Sequence, residues 1–324
     1  MLVLAISFAT PSRAETEQDH TEIVGPNACG ECHKKTVAVW QKSHHFSTFK
    51  ELPRRKEAIE IAKKMGLKRI KAGSLCLDCH FTTAEASGGK RKAIAGVSCE
   101  SCHGPAKGYV KRHGEFSGKK KESETEAEAL QRWADSDAAG MIRPGDMYAL
   151  AKNCYDCHTV PQEKLVNTGG HTAGSKFELV SWSQGEVRHN VWYNGGKGNA
   201  EASAEHKRVM FVVGLAVELE TSIRAVGNAT VKADYAVAMA KRAGRAKARF
   251  RKIADVLPIP EIGQINLAAN SVKLKLNNKD KLSKAAAKIA AAANAISDNY
   301  DGSTFGAVDG MIPPASKYKG MADQ

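Results

Sequence analysis

The chain has 324 residues, a formal net charge of +13 at neutral pH, 42% hydrophobic residues and only 6% aromatic ones. No apolar run reaches the ~18 residues that a membrane-spanning helix needs, so no transmembrane segment is expected, and the length suits two modest domains better than one. So few aromatic rings make sense if something other than Phe and Trp fills much of the interior.

In chain order, residues 1–14 (MLVLAISFATPSRA) pair a short apolar run, Leu2 to Ala9, with a small-x-small site at Ser12-Arg13-Ala14. This reads as a signal peptide and predicts an exported, periplasmic protein, although a positively charged start is missing. Residues 15–25 form a polar leader in which His20 is expected to be mobile. Next comes the first of eight cysteines, and all eight fall into four C-x-x-C pairs, each followed at once by histidine: CGECH (Cys29, Cys32, His33), CLDCH (Cys76, Cys79, His80), CESCH (Cys99, Cys102, His103) and CYDCH (Cys154, Cys157, His158).

C-x-x-C-H is the attachment sequence of c-type heme. Two thiols about one helical turn apart can each bond a heme vinyl group, and the adjoining imidazole then reaches the iron from the same side. Zinc sites and redox dithiols also use C-x-x-C, but neither calls for a histidine at the fifth position. Four such histidines by chance would be on the order of a one-in-a-million event. Four covalently bound hemes are therefore expected, with the eight cysteines as tethers and His33, His80, His103 and His158 as proximal iron ligands. The motifs are unevenly spaced, so the chain is not a tandem array of one repeat. Packing within about 130 residues should bring the porphyrins close to one another.

Among the motifs, Pro53 to Met65 predicts an amphipathic helix with Ala58, Ile61, Ala62 and Met65 on one face and Gly66 at its end. Lys119 to Ser136 predicts a charged helix, and residues 142–160 a short helix leading to the fourth motif. Beyond about residue 200 cysteine vanishes and helical periods take over: Arg208–Val226, Ala233–Val256 and the alanine-rich Lys279–Ala295. The fold class is mainly α with extensive irregular loops. It comprises a heme-wrapping core (15–200) and a C-terminal helical bundle or hairpin (201–324). Lys241 to Lys252 carries seven basic residues and no acid. Nucleic-acid binding is not expected of an exported heme protein, so this face reads as solvated, with docking to an acidic partner or anionic lipid next.

Seven histidines remain for the opposite faces of the irons: His20, His44, His45, His113, His171, His189 and His206. A second histidine gives a low-spin, lower-potential iron, whereas an open position invites small-molecule chemistry. The stretches CGECHKKTVAVWQKSHHFSTF, GVSCESCHGPAKGYVKRH and CYDCHTVP resemble the tetraheme cytochrome c-554 family, over about Gly25 to His189. That resemblance implies an electron carrier that accepts electrons from hydroxylamine oxidoreductase. It implies that His45 ligates the third heme, His113 the first and His189 the fourth, with no protein ligand on the far side of the second. His171, on a glycine-rich stretch, could serve the fourth heme instead of His189 or fill the open side of the second. His44 is expected to contact a heme propionate, and His206 to be a surface or capping group.

Three functions follow from this reading. The first is an electron-transfer protein whose redox partners have acidic docking surfaces. The second is an enzyme reducing or oxidising nitric oxide, hydroxylamine or nitrite at an open second heme. The third is a heme filament polymerised through the helical tail.

Overall fold

The computed structural model describes residues 19–72, 75–192 and 194–320; the expected signal peptide lies outside them. Up to the third motif the chain is a succession of short helices: α1 (Pro26–Gly30), α2 (Lys34–Trp40), α3 (His44–Glu51), α4 (Lys56–Lys64) and α5 (Leu77–His80). Pro26 opens α1 where a missing N–H costs nothing. The Ser43 hydroxyl caps α3 by accepting from the Phe46 N–H at 3.3 Å. The helix expected over 53–65 is α4, preceded by a 3-10 turn at Leu52–Arg54 and stopped at Gly66, whose φ of +70° suits glycine.

An antiparallel hairpin, β1 (Thr82–Ala86) and β2 (Lys90–Ala95), then turns at Gly88 and Gly89, both with positive φ. This hairpin was not anticipated, although a Gly-Gly pair between two short alternating runs is a hairpin signal. After α6 (Cys99–His103), the charged stretch becomes helical only at α7 (Glu126–Ala138). Thr125 and Glu128 form a capping box there, which sets the start later than Lys119. Likewise α8 (Met147–His158) begins after Pro144-Gly145, with the Asp146 carboxylate accepting from the Ala149 N–H at 2.9 Å. Short helices α9 (Glu163–Asn167) and α10 (Leu179–Ser183) lead into the C-terminal part.

There α11 (Ala204–Asn228), α12 (Asp234–Ala254), α13 (Pro260–Asn270) and α14 (Lys279–Asn299) form a bundle; α13, which starts on a proline, was not foreseen. Helix α11 is its axis, packing on α14, α12, α10 and α8. It is buried nearly all round, as a central helix must be. Small residues let the neighbours approach: a Cβ on Gly214 would lie 2.8 Å from Leu179 of α10, and Ala285, Ala286, Ala292 and Ala293 are buried along α14.

Two apolar clusters result. The large one runs from Met147 to Val308 and unites the bundle with α8 and α10. The small one, around Ala62, Ile70, Leu77, Phe81 and Ala93, underlies the second motif. Among the described residues no helix is long and apolar enough to cross a membrane.

Candidate heme attachment sites

Each motif histidine lies opposite one non-motif histidine. The ring centroids are 6.2 Å apart for His33 and His113, 6.3 Å for His80 and His171, 6.1 Å for His103 and His189, and 6.3 Å for His158 and His45. The interplanar angles are 13°, 49°, 80° and 47° in the same order. Two imidazoles hydrogen-bonded to each other would sit closer. Two imidazoles on either side of one metal, each nitrogen about 2 Å from it, place their centroids about 6 Å apart.

The Nδ1 atoms give the same orientation. His103 Nδ1 donates to the Ile142 carbonyl at 2.8 Å, His113 to that of Tyr109 at 2.9 Å, His171 to that of Thr172 at 2.8 Å and His189 to that of Val187 at 2.7 Å. His158 Nδ1 is 2.8 Å from the Ser175 hydroxyl. A proton held at Nδ1 leaves the Nε2 lone pair as the coordinating atom, and the acceptor fixes the ring's direction. Burial lowers the pKa of His33, His45 and His103, and takes His80 and His158 down to about 4, so these imidazoles are neutral at ordinary pH.

Each ring is held by structure that the sequence places nearby. His45 sits in the first turn of α3, where Thr48 Oγ1 donates to the carbonyls of His45 (2.8 Å) and His80 (3.1 Å), tying α3 to the second motif. Gly96, just past β2, packs so tightly on this turn that a Cβ would fall 2.1 Å from the His45 carbonyl oxygen. His113 lies in a 3-10 turn whose backbone carbonyl accepts from Arg132 Nη1 at 2.6 Å. Arg132 is itself buried in an ion pair with Glu124 at 2.7 Å, which draws the Glu124 carboxyl below its ordinary range. At the third motif, Ile142 N–H donates to the His103 carbonyl, and the Tyr109 hydroxyl caps the carbonyls of His103 and Gly104.

The thiols fall into neighbouring sets. Cys29 is hydrogen-bonded to Cys99, which raises Cys29, and Cys157 is hydrogen-bonded to Cys79, which raises Cys157. Burial pushes Cys102 up to about 11; burial also raises Cys154, with a smaller push from Cys102 beside it. Asn153 of α8 donates to the Cys102 carbonyl at 2.8 Å. The motifs therefore adjoin in the order first, third, fourth, second.

All eight expected ligand histidines and six of the eight cysteines come together in this way, but two juxtapositions are exchanged relative to the expectation. His45 faces His158 rather than His103, because α3 packs against the hairpin and the second motif, on the side where α8 ends. His189 faces His103 rather than His158. His171 lies opposite His80. His44, expected to contact a heme propionate, has its Nδ1 2.6 Å from the carboxylate of buried Glu186. His20 is not a loose tail residue, since its Nδ1 is 2.9 Å from Thr83 Oγ1 on the hairpin. His206 lies in the first turn of α11, with its N–H bonded to the Ser203 cap.

Sequence reasoning passed over Glu100, inside the third motif. Its carboxylate is fully buried and accepts from the N–H groups of Val24, Gly25 and Ala106 at 2.7–2.9 Å, stitching the entry to α1 onto α6. The other three motifs also carry an acid between their cysteines, and Glu31, Asp78 and Asp156 are all exposed, so nothing in the sequence marked Glu100 out.

The donor set fits heme. Paired imidazoles at this spacing would hold a heme iron between them, with a C-x-x-C pair adjoining one imidazole of each pair in the sequence. Among the described residues no group of three or more His, Cys, Asp and Glu side chains is arranged to hold a bare metal ion.

Comparison with known proteins agrees. The family described as cytochrome c554 and c-prime matches residues 28–104. Cytochrome c-554 of Nitrosomonas europaea is 26% identical over 164 residues, covering 48% of this chain and 66% of that protein's length. No solved structure matches. The bundle beyond residue 200 lies outside the family match.

Proposed function

We propose, from this support for the tetraheme cytochrome c-554 family, that the chain is an exported electron carrier in which four bis-histidine hemes form one relay. A c-type cytochrome acting in electron transfer is what the family implies; the number of hemes, their ligands, the compartment and the partners are the proposal. The observation that carries it is the set of four imidazole pairs at 6.1–6.3 Å, each with a C-x-x-C pair attached. Bound at these places, heme supplies a reversible one-electron ferric/ferrous couple.

The chain's own residues do three things. Cys29 and Cys32, Cys76 and Cys79, Cys99 and Cys102, and Cys154 and Cys157 tether. His33 with His113, His80 with His171, His103 with His189, and His158 with His45 would hold the irons. Carbonyls of Ile142, Tyr109, Thr172 and Val187, and the Ser175 hydroxyl, take the Nδ1 protons and set imidazole basicity, which tunes the reduction potential. The order in which the motifs adjoin makes the first and second the ends of the relay and the third and fourth its middle. A net charge of +13 favours acidic redox partners and salt-dependent association.

An enzymatic role at an open second iron would need His80 to lack a facing group, and His171 at 6.3 Å weighs against it. Pyridine hemochrome quantitation of the purified holoprotein tests the proposal. Four hemes per chain are expected, and a lower number or colourless protein would refute it.

A further inference from the structure

Trp192 is 60% exposed, an unusual place for the largest apolar side chain. The other three tryptophans are half-buried and have uses within the fold. Trp40 donates to the Val97 carbonyl at 2.8 Å, Trp133 lies against the guanidinium groups of Arg132 and Arg143, and Trp182 stacks near Phe177. Trp192 instead sets its indole edge-on to His33, with ring centroids 4.7 Å apart. His33 belongs to the first motif, one end of the relay, and Cys32 of that motif is the exposed one among the eight cysteines. Cys32 would carry a tether, so the weight falls on the indole and its surroundings.

Those surroundings are basic. Trp192 sits on a tight turn closed by Gly195 N–H to the Trp192 carbonyl and Gly196 N–H to the Val191 carbonyl. Lys35 Nζ crosses from α2 to the Gly196 carbonyl at 2.9 Å, which brings the start of α2 and residues 195–197 to one surface. Lys34, Lys35 and Lys197 are all exposed there. An exposed indole bordered by lysines has the make-up of an interface anchor with a steering rim.

We propose that Trp192, with Lys34, Lys35 and Lys197, is the docking contact at which an acidic redox protein exchanges electrons with the first heme. This rests on the relay reading above and adds where the relay opens to a partner. In the exchange one electron leaves the partner's cofactor and one ferric iron becomes ferrous, with no bond made or broken on either protein.

The test uses holoprotein with verified heme content, so that a missing heme counts against the relay and not against this surface. Reduced flavodoxin, an acidic one-electron donor, is mixed with it in stopped flow at low and high salt. Trp192→Ala should lower the second-order rate at low salt about tenfold, with Trp192→Phe retaining most of it. Lys35→Glu and Lys197→Glu should flatten the salt dependence, while Arg245→Glu on the basic helix α12 should change nothing. Carbodiimide cross-linking, read by peptide mass spectrometry, should join flavodoxin to Lys34, Lys35 or Lys197. An unchanged rate in Trp192→Ala, or cross-links confined to Lys241–Lys252, would overturn the proposal.

Discussion

Among the described residues that carry the first three motifs, five buried apolar side chains make up the one cluster, and two of them are the alanines Ala62 and Ala93. From Met147 onward a single continuous cluster takes in Leu219, Ile223, Tyr235, Phe250, Ile265, Leu282, Ile289 and Ile296. The bundle is stabilised in the ordinary way, with each fully buried Leu or Ile contributing about 1.5–3 kcal/mol. The motif region instead spends its buried polar groups on aiming imidazoles: Arg132 on the His113 carbonyl, Tyr109 on that of His103, Thr48 on those of His45 and His80. One region folds around side chains; the other, in the proposed reading, folds around covalently bound heme.

The strongest break in that comparison comes from withholding heme. Chain made without heme attachment should lose amide protection across α1 to α6 while α11 to α14 stay protected, as hydrogen exchange with mass spectrometry would report. Uniform protection, or uniform loss, would mean that the two regions do not differ in what supports them. Next in size is Leu219→Ala, at a position with no exposure in the middle of α11. It should cost about 2–5 kcal/mol in denaturant unfolding and leave the heme spectrum as it was. Gly96→Ala reverses the pattern. Its Cβ would meet the His45 carbonyl at 2.1 Å, so strain of about 1–3 kcal/mol should be relieved by displacing α3, with a high-spin signal from one heme. The smallest effect belongs to Ser175→Ala. Removing the acceptor from His158 Nδ1 makes that imidazole a weaker donor to ferric iron, and a hydrogen bond of about 1 kcal/mol converts to roughly 40 mV. A redox titration should show one potential raised by that order and the others unmoved.

The asymmetry also explains what could be read beforehand. Tethers and proximal histidines are contiguous in sequence, so Cys99, Cys102 and His103 declare themselves together. The helices of the bundle are legible for a similar reason, since a 3.6-residue period is local. His45, His113, His171 and His189 are recognisable as a set, because four C-x-x-C-H motifs call for partners and the supply of histidine is small. Which faces which is a long-range fact. His45 meets His158 across 113 positions of chain, and that pairing follows from Gly96 packing under α3, which no spacing encodes. The hairpin at Thr82–Ala95 and helix α13 escaped notice because each is short and flanked by Gly or Pro. Glu100 escaped because a buried carboxylate held by three backbone N–H groups looks, in sequence, like any other acid.

The central claim is that every attached iron sits between two imidazoles. Low-temperature electron paramagnetic resonance of the fully oxidised holoprotein, with spins counted against protein, tests it most directly. The account predicts four low-spin ferric centres. The ring planes at 13° for His33 and His113 and at 80° for His103 and His189 should give the least and the most axial signals of the set. A high-spin ferric signal amounting to one spin per chain would contradict it, and would reopen the far side of the iron at His80 to small molecules.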